Sequence, residues 1–218
     1  VCYLGKGKEV IDTTEANLFK RCTGAVYVHK KKTRILPWNK EIETKYKQKK
    51  GATLASGPLL MLDGECVMND ENDSFNKTKH PRSAIFTTKD KKTVFITVDG
   101  RRKGNATGVS IAELTHLIRI LGGHDALNLD GGGSTTLWME GAPENGVLNS
   151  PSDNGKFDHK GERKIPNIIY VHIVGIIKFF QIAGCIFPIN NREAQRIIHN
   201  FLIENSVLIK ECTEARND

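Results

Sequence analysis

Ala126-Leu-Asn-Leu-Asp130-Gly-Gly-Gly-Ser-Thr-Thr-Leu-Trp138 is the stretch around which the rest of the chain arranges itself. Leu127 and Leu129 alternate with Asn128 and Asp130, the pattern of a strand with one apolar and one polar face. Gly131, Gly132 and Gly133 then release the backbone from side-chain sterics, so that amide groups can approach a ligand closely. Three glycines in a row cost about 0.5 to 1 kcal/mol each relative to alanine in regular structure, which marks a special backbone requirement. A tight turn between two strands is the simpler reading, but it needs only one or two special residues and has no use for the flanking Asp, Ser and Thr. The stretch reads as an active-site loop.

Upstream of it, Ser110-x-x-Glu113 is a capping box ahead of Leu114, Leu117, Ile118 and Leu121, closed by Gly122-Gly123, which predicts a helix. That helix feeds a strand over Ala126 to Asp130, a pair resembling half of an alpha/beta unit. Downstream come a strand over Thr135 to Met139, a long polar loop from Gly141 to Gly161, and a strand over Ile165 to Val174 with Asn167 near its start. Earlier in the chain, Ala84 to Thr88 and Thr93 to Val98 form a hairpin, and Thr53 to Leu62 is two apolar strands split by Ser56-Gly-Pro58 and followed by an Asp63-Gly64 turn. Val10-Ile11 and Gly24 to His29 read as strands, Ile35 to Trp38 as a short apolar segment, Asn39 to Lys50 as an amphipathic helix with Ile42 and Tyr46 on its stripe, and Asn69 to Lys79 as a loop. From about Gly175 the character changes: Ile197, Ile198, Phe201, Leu202 and Leu208 stand at helical spacing over Arg192 to Ile209. The expectation is an α+β fold, a mixed β-sheet with few helices, forming a single domain over residues 1–174 with a C-terminal helical extension over 175–218.

At 218 residues, 39% hydrophobic and 26% charged, the composition is that of an ordinary globular chain. The net charge of +7 is concentrated, since Lys20 to Lys50 carries eleven Lys and Arg against Glu41 and Glu43. Few aromatics accompany that run, so it predicts general attraction to anionic polymers rather than a nucleic-acid partner. Cys2, Cys22, Cys66, Cys185 and Cys212 are odd in number and widely spaced, with no C-x-x-C pair, so they predict neither a disulfide framework nor a zinc site. The most apolar window, Ile173 to Phe187, falls short of the ~20 residues a membrane helix needs, so no stable membrane span is expected. No basic or apolar leader precedes Val1, which predicts processing or truncation.

Candidate chemistry gathers at strand ends. Arg82, Arg101 and Arg163 each adjoin one, and a guanidinium presents a planar fork of donors suited to phosphate oxygens. The amides of Gly131 to Gly133, with Ser134 and Thr135, form a second candidate anion cradle. Asp130 is the expected catalytic carboxylate and Asp99 the natural partner, because glycosidic cleavage normally employs two carboxylates, or one with help from substrate or water. Each arginine could instead be a surface residue or pair with Asp99 or Glu162. The histidines show no H-x-x-x-H or H-E-x-x-H spacing, so no zinc site is expected, while Asp and Asn oxygens leave room for calcium or magnesium. The glycine run matches neither a dinucleotide fingerprint nor a P-loop.

Five motifs then occur in order: Ser56-Gly-Pro-Leu-Leu60, His80-Pro-Arg-Ser-Ala84, Val98-Asp-Gly-Arg101, Asn128-Leu-Asp-Gly-Gly-Gly-Ser-Thr-Thr136 and Glu162-Arg-Lys-Ile-Pro-Asn167. Together they resemble the phosphodiester glycosidase family from about Leu54 to Val171. The resemblance implies hydrolysis at the anomeric carbon of a sugar-1-phosphodiester, of the GlcNAc-alpha-1-phosphate type, giving free sugar and a phosphomonoester. The substrate would be a phosphodiester-linked saccharide or glycopolymer, and the setting periplasmic or secreted in a bacterium. It also favours Arg82, Asp99, Arg101, Asn128, Asp130, Ser134, Thr135, Arg163 and Asn167 as the site. Family members often carry an Asn-Gly-x-Phe-Phe-like strand ahead of the region where this chain begins, which implies an N-terminally truncated domain. Two other readings stay open: a non-catalytic module binding anionic cell-surface glycans through Lys20 to Lys50, and a phosphodiesterase that cuts P–O rather than C–O.

Overall fold

A computed structural model describes residues 2–4, 8–11, 21–67, 73–165, 167–172, 179–182 and 206–211. Strands β1 (Cys2–Leu4), β2 (Lys8–Ile11), β3 (Gly24–His29), β4 (Lys32–Pro37) and β5 (Ala52–Ser56) form one sheet in the order β2-β1-β5-β3-β4. Strands β6 (Leu59–Leu62), β7 (Glu65–Cys66), β8 (Arg82–Thr88), β9 (Thr93–Val98) and β10 (Gly123–Asn128) form a second, ordered β7-β6-β10-β8-β9. A third joins β11 (Leu137–Met139), β12 (Asn167–His172), β13 (Phe179–Ile182) and β14 (Ser206–Glu211) in the order β11-β13-β12-β14. Among the described residues three helices accompany them: α1 (Lys40–Lys47), α2 (Ser74–Lys77) and α3 (Ile111–Ile120). The α+β class holds, and every described pairing is antiparallel, a narrower arrangement than the mixed sheet expected.

Side-chain alternation explains the layering. On β3, Val26 and Val28 turn inward to join Ile35 against Leu59, Ile85, Leu127 and Leu129 of the second sheet and Ile169 and Val171 of β12. The opposite face of β3 gives Ala25 to a smaller cluster with Leu36, Trp38 and Ala55, and Ile42 and Tyr46 of α1 cover it. The second sheet also has two covered faces, because Ala84, Phe86, Ile96 and Ala126 pack against Ile111, Leu114 and Ile118 of α3. The layers therefore run α1, first sheet, second sheet with β12, α3. Leu114 and Ile118 are fully buried, and each contributes about 1.5 to 3 kcal/mol of burial.

Local signals place the helices. Asn39 caps α1 by accepting from Ile42 N at 2.9 Å. The capping box ahead of α3 is complete, Glu113 N donating to Ser110 Oγ (3.2 Å) and Ser110 N to Glu113 Oε2 (2.8 Å).

Several expectations are corrected. β10 runs antiparallel to both β6 and β8, so α3 and β10 are not half of a parallel alpha/beta unit. The polar stretch before Lys79 holds the short helix α2, capped by Asp73. The strand expected over Ala126 to Asp130 ends at Asn128, and that expected over Thr135 to Met139 starts at Leu137. Of the helix expected over Arg192 to Ile209, residues 206–209 belong to β14, paired with β12; residues 192–205 lie outside the described residues. Edge pairing with β12 satisfies a backbone ladder there, which outweighs the helical spacing of a few apolar side chains. Among the described residues no helix is long and apolar enough to cross a membrane.

Candidate functional site

The antiparallel order of the second sheet brings the start of β8, the end of β9 and the end of β10 to one edge, with Asn128 opposite Ala84 and Arg82 opposite Val98. Three of the sequence motifs thus become neighbours without being neighbours in the chain. Their loops are stitched by backbone bonds, Leu129 N to Ser83 O (2.8 Å) and Gly132 N to Pro81 O (2.8 Å). Asn128 is 1% exposed and anchors the loop from below, its Nδ2 donating to Gly57 O (2.8 Å) and Leu129 O (2.9 Å).

The glycine loop is a 3-10 turn over Gly132–Ser134. Its amides are largely engaged in making that turn: Gly131 N donates to Asp130 Oδ1, Ser134 N to Gly131 O and Thr135 N to Gly132 O. With Gly132 N bound to Pro81 O, the anion cradle expected of these amides is mostly occupied by the protein itself. The glycines serve a different need, which is space. A Cβ on Gly132 would lie 2.9 Å from Arg101 Nη2, and one on Gly133 would lie 1.9 Å from Asp153 Oδ1 and 2.4 Å from Arg163 Nη2. Gly132 also sits at φ +62, in the left-handed region that favours glycine. Two guanidinium groups can therefore rest directly on the loop backbone.

Each arginine does a distinct job. Arg82 is buried, 1% exposed, and gives Nε to Val109 O (3.1 Å) and Nη2 to Phe75 O (2.6 Å) and Thr78 O (2.8 Å), with its guanidinium 4.5 Å from the Phe75 ring centroid. Burial, with the Arg101 charge, lowers its pKa to about 10, so it stays charged at neutral pH. Arg82 thus ties α2 and the Val109 backbone to the site. Arg101 is exposed, occupies φ +58, and its guanidinium has no acceptor among the described residues. A non-glycine residue in that region outside a hairpin turn is strained, a feature that gathers at functional sites. Arg163 forms a bidentate pair with Asp153, at 2.6 and 3.0 Å. That bond holds the Asp153 carboxyl below the usual carboxylate range and raises Arg163, which the Asp130 charge also favours.

The two carboxylates differ in the same way. Asp99 is half-buried and already bound, Oδ1 accepting from Asn149 Nδ2 (2.9 Å) and both oxygens from Ser150 N (3.1 and 3.0 Å). It fastens the 149–150 segment, where Asn149 also donates to Thr135 O and accepts from Leu137 N. Asp130 is exposed and accepts only from the adjacent Gly131 N among the described residues. Ser134 and Thr135 are buried beneath the loop, Thr135 receiving the Ser83 hydroxyl at 3.3 Å. Asn167 stands at the head of β12 opposite Glu211, and no hydrogen bond joins its side chain to the loop among the described residues.

Sequence reasoning assigned no role to five members of this constellation. Asn149, Ser150 and Asp153 sit in the stretch read as a solvated polar loop, although Asn149 through Ser152 is buried. Arg102, beside Arg101, pins that loop by donating to Ser152 O (2.6 Å) and Lys156 O (2.7 Å). His80 lies within a quoted motif, and burial, then the charges of Arg82 and Arg101, lowers its imidazole below the usual histidine range; its Nδ1 is buried with no partner among the described residues. The group best suited to a metal ion among the described residues, Asp63, His124 and Asp125, lies at the β6–β7 turn and the start of β10, away from the loop.

Comparison with known proteins identifies the family and the fold. The family model described as phosphodiester glycosidase matches residues 6–172. The fold is similar to the zebrafish N-acetylglucosamine-1-phosphodiester alpha-N-acetylglucosaminidase catalytic domain, auto-inhibited by pro-peptide, with a TM-score of 0.52 and 19% identity over 73% of this chain and 52% of that one. This chain therefore spans about half the length of that relative. A hypothetical protein from Synechocystis is also similar, with a TM-score of 0.39 and 20% identity over 74% of this chain and 34% of that one. No curated protein matches the chain.

Proposed function

Because the chain belongs to the phosphodiester glycosidase family, we propose that it hydrolyses a sugar-1-phosphodiester, of the GlcNAc-alpha-1-phosphate type, at the anomeric carbon. The observation that carries this reading is the stacking of two guanidinium groups, Arg101 and Arg163, onto Gly132 and Gly133 beside the exposed carboxylate of Asp130. A phosphodiester is an anion that a guanidinium fork recognises. Its phosphate is already a good leaving group, so the barrier lies in oxocarbenium character and in placing the water.

In this reading Arg101, with no acceptor of its own among the described residues, takes the phosphate oxygens. Asp153 holds Arg163 in register beside Asp130. Asp130 acts as base or nucleophile: in the direct route a water oxygen bonds to the anomeric carbon, its proton passes to Asp130, and the C–O bond breaks with its electron pair on the phosphate. Asp99 and Asn149 keep the floor of the loop in place. The family also supports a periplasmic or secreted setting.

The test is turnover of a GlcNAc-1-phosphodiester in oxygen-18 water. Label in the released sugar is the expected result. Label in the phosphate means P–O cleavage, and no turnover at any concentration removes the proposal.

A further inference from the structure

The first sheet carries a second charged feature on the face that α1 only partly covers. In the β3–β4 hairpin Tyr27 lies opposite Arg34 and His29 opposite Lys32, and directly opposed residues of an antiparallel pair point to the same side. Tyr27, His29, Arg34 and Lys32 therefore share the outer face. The chain leaving α1 adds Lys49 and Lys50: Lys49 Nζ stands 4.1 Å from the Tyr46 centroid and 6.0 Å from that of Tyr27, and the Tyr27 hydroxyl donates to Lys50 O at 2.5 Å. Lys30 and Lys31 extend the face at the hairpin tip.

This arrangement is more than a solvated lysine run. Among the described residues none of Lys30, Lys31, Lys32, Arg34, Lys49 and Lys50 is ion-paired, whereas Lys40 on the other side of α1 meets Glu43 at 3.6 Å. One of the cations is also held in place. Tyr27 meets Tyr46 edge-on at 5.0 Å and stacks with His29 at 6.4 Å, so the rings form a pedestal for Lys49, with Arg34 across from Tyr27 on the neighbouring strand. The rings are spent on one another and on Lys49, which leaves none as an open platform for base stacking, the usual means of binding single-stranded nucleic acid. What the face offers is a cluster of positive charges without ion-pair partners among the described residues.

Its position separates it from the loop site. The Gly24 end of β3 packs against Leu59 and Leu127, beside the Asp130 loop, and His29 is five residues further along the strand, about 16 Å away at ~3.3 Å per residue.

We propose that this face docks a phosphate-bearing glycan chain, so that Arg34, Lys32, Lys49 and Lys50 hold repeating phosphates while a sugar-1-phosphodiester of the same polymer occupies the Asp130 loop. The choice of a phosphate-bearing glycan rests on the proposed function; the charge and spacing of the surface do not. A polymer bound at both places raises its own effective concentration at the loop.

The experiment uses the full chain and poly(glycerol phosphate) as the probe, with binding followed by calorimetry between about 50 and 200 mM salt. The triple variant Lys32→Glu, Arg34→Glu, Lys49→Glu should lose affinity about tenfold or more and show a shallower salt slope, while its turnover of a small soluble GlcNAc-1-phosphodiester stays at the wild-type level. A gentler variant, Lys32→Gln with Arg34→Gln, should show the same direction if the triple variant fails to fold. Equal binding by the folded variants, or no binding by the unchanged chain, overturns the proposal, as does tighter binding of single-stranded DNA of equal charge. If the small diester is not hydrolysed at all, the loop assignment fails while the binding comparison still decides the docking face.

Discussion

The Asp153 carboxylate and the Arg163 guanidinium meet in a two-bond pair, 2.6 and 3.0 Å, in the space that a Cβ on Gly133 would occupy. Ten residues separate them in the chain. This relationship explains the last residue of the triple-glycine run better than turn geometry alone, while the middle one answers to Arg101 and to its φ of +62.

Gly133→Ala should therefore act on the pair. The added methyl must displace Asp153 and Arg163 by an ångström or more, and such misplacement at a reacting centre costs on the order of 100-fold in rate. The expected outcome is that loss in kcat/KM on a GlcNAc-1-phosphodiester with unchanged far-ultraviolet circular dichroism. Full activity would mean that the pair does not position the reaction.

The same pair has a pH signature. Asp153 has a lowered folded pKa because Arg163 bonds to it, so its contribution to stability is present above the unfolded carboxylate value, about 3.9, and is lost as pH falls through the folded value. Acid titration of Tm should show Asp153→Asn less sensitive than the unchanged protein below about pH 4. Parallel curves would show that the bond adds nothing to stability.

His80 produces a dependence of the same sign in a higher pH window. Its folded pKa is depressed by burial, then by Arg82 and Arg101, so below the unfolded histidine value of about 6.5 the unfolded chain takes up the proton more readily. Stability should fall as pH drops from about 6.5 toward the folded value, and His80→Gln should flatten that part of the curve. Urea midpoints across pH 5 to 7.5 measure it, and an unchanged slope in the variant would assign the effect to other groups.

Arg82 and Asp130 should separate into two classes of behaviour. Arg82→Ala removes the side-chain donor to the carbonyls of Phe75 and Thr78, while Val109 O keeps His80 N; unsatisfied buried acceptors cost about 1 to 3 kcal/mol each, so unfolding free energy should drop by about 2 kcal/mol or more. Loss of activity with unchanged stability would instead place Arg82 on the phosphate.

Asp130→Asn changes an exposed side chain and should leave Tm within about 2 °C, because surface substitutions away from special features are usually within ~0.5 kcal/mol. Its kcat/KM should nonetheless fall by about 100-fold to 10,000-fold if the carboxylate is the catalytic base. Near-normal turnover would remove Asp130 from the chemistry.

Local patterns carried much of the fold. The period-2 alternation of Gly24 to His29 appears as β3 with the same bounds, and the capping box at Ser110 and Glu113 forms as written. These features are legible because their causes, pleat and cap, act within a few residues. The motifs around His80, Asp99 and Asn128 were also visible, though not what each side chain does.

By itself the sequence determined most of the strands, the two longer described helices, the family and the stretch that forms the loop, all of which follow from neighbours in the chain. Only the tertiary structure decided that every described pairing is antiparallel, that Ser206 to Ile209 extends as a strand, that Arg82 is consumed by carbonyls while Arg101 is not, and that Asn149, Asp153 and Arg102 gather around the loop and its neighbours. The physical reason is the same in each case. A strand's partner, a guanidinium's acceptor and the space above a glycine are set by residues tens of positions away, brought close only when the sheets pack.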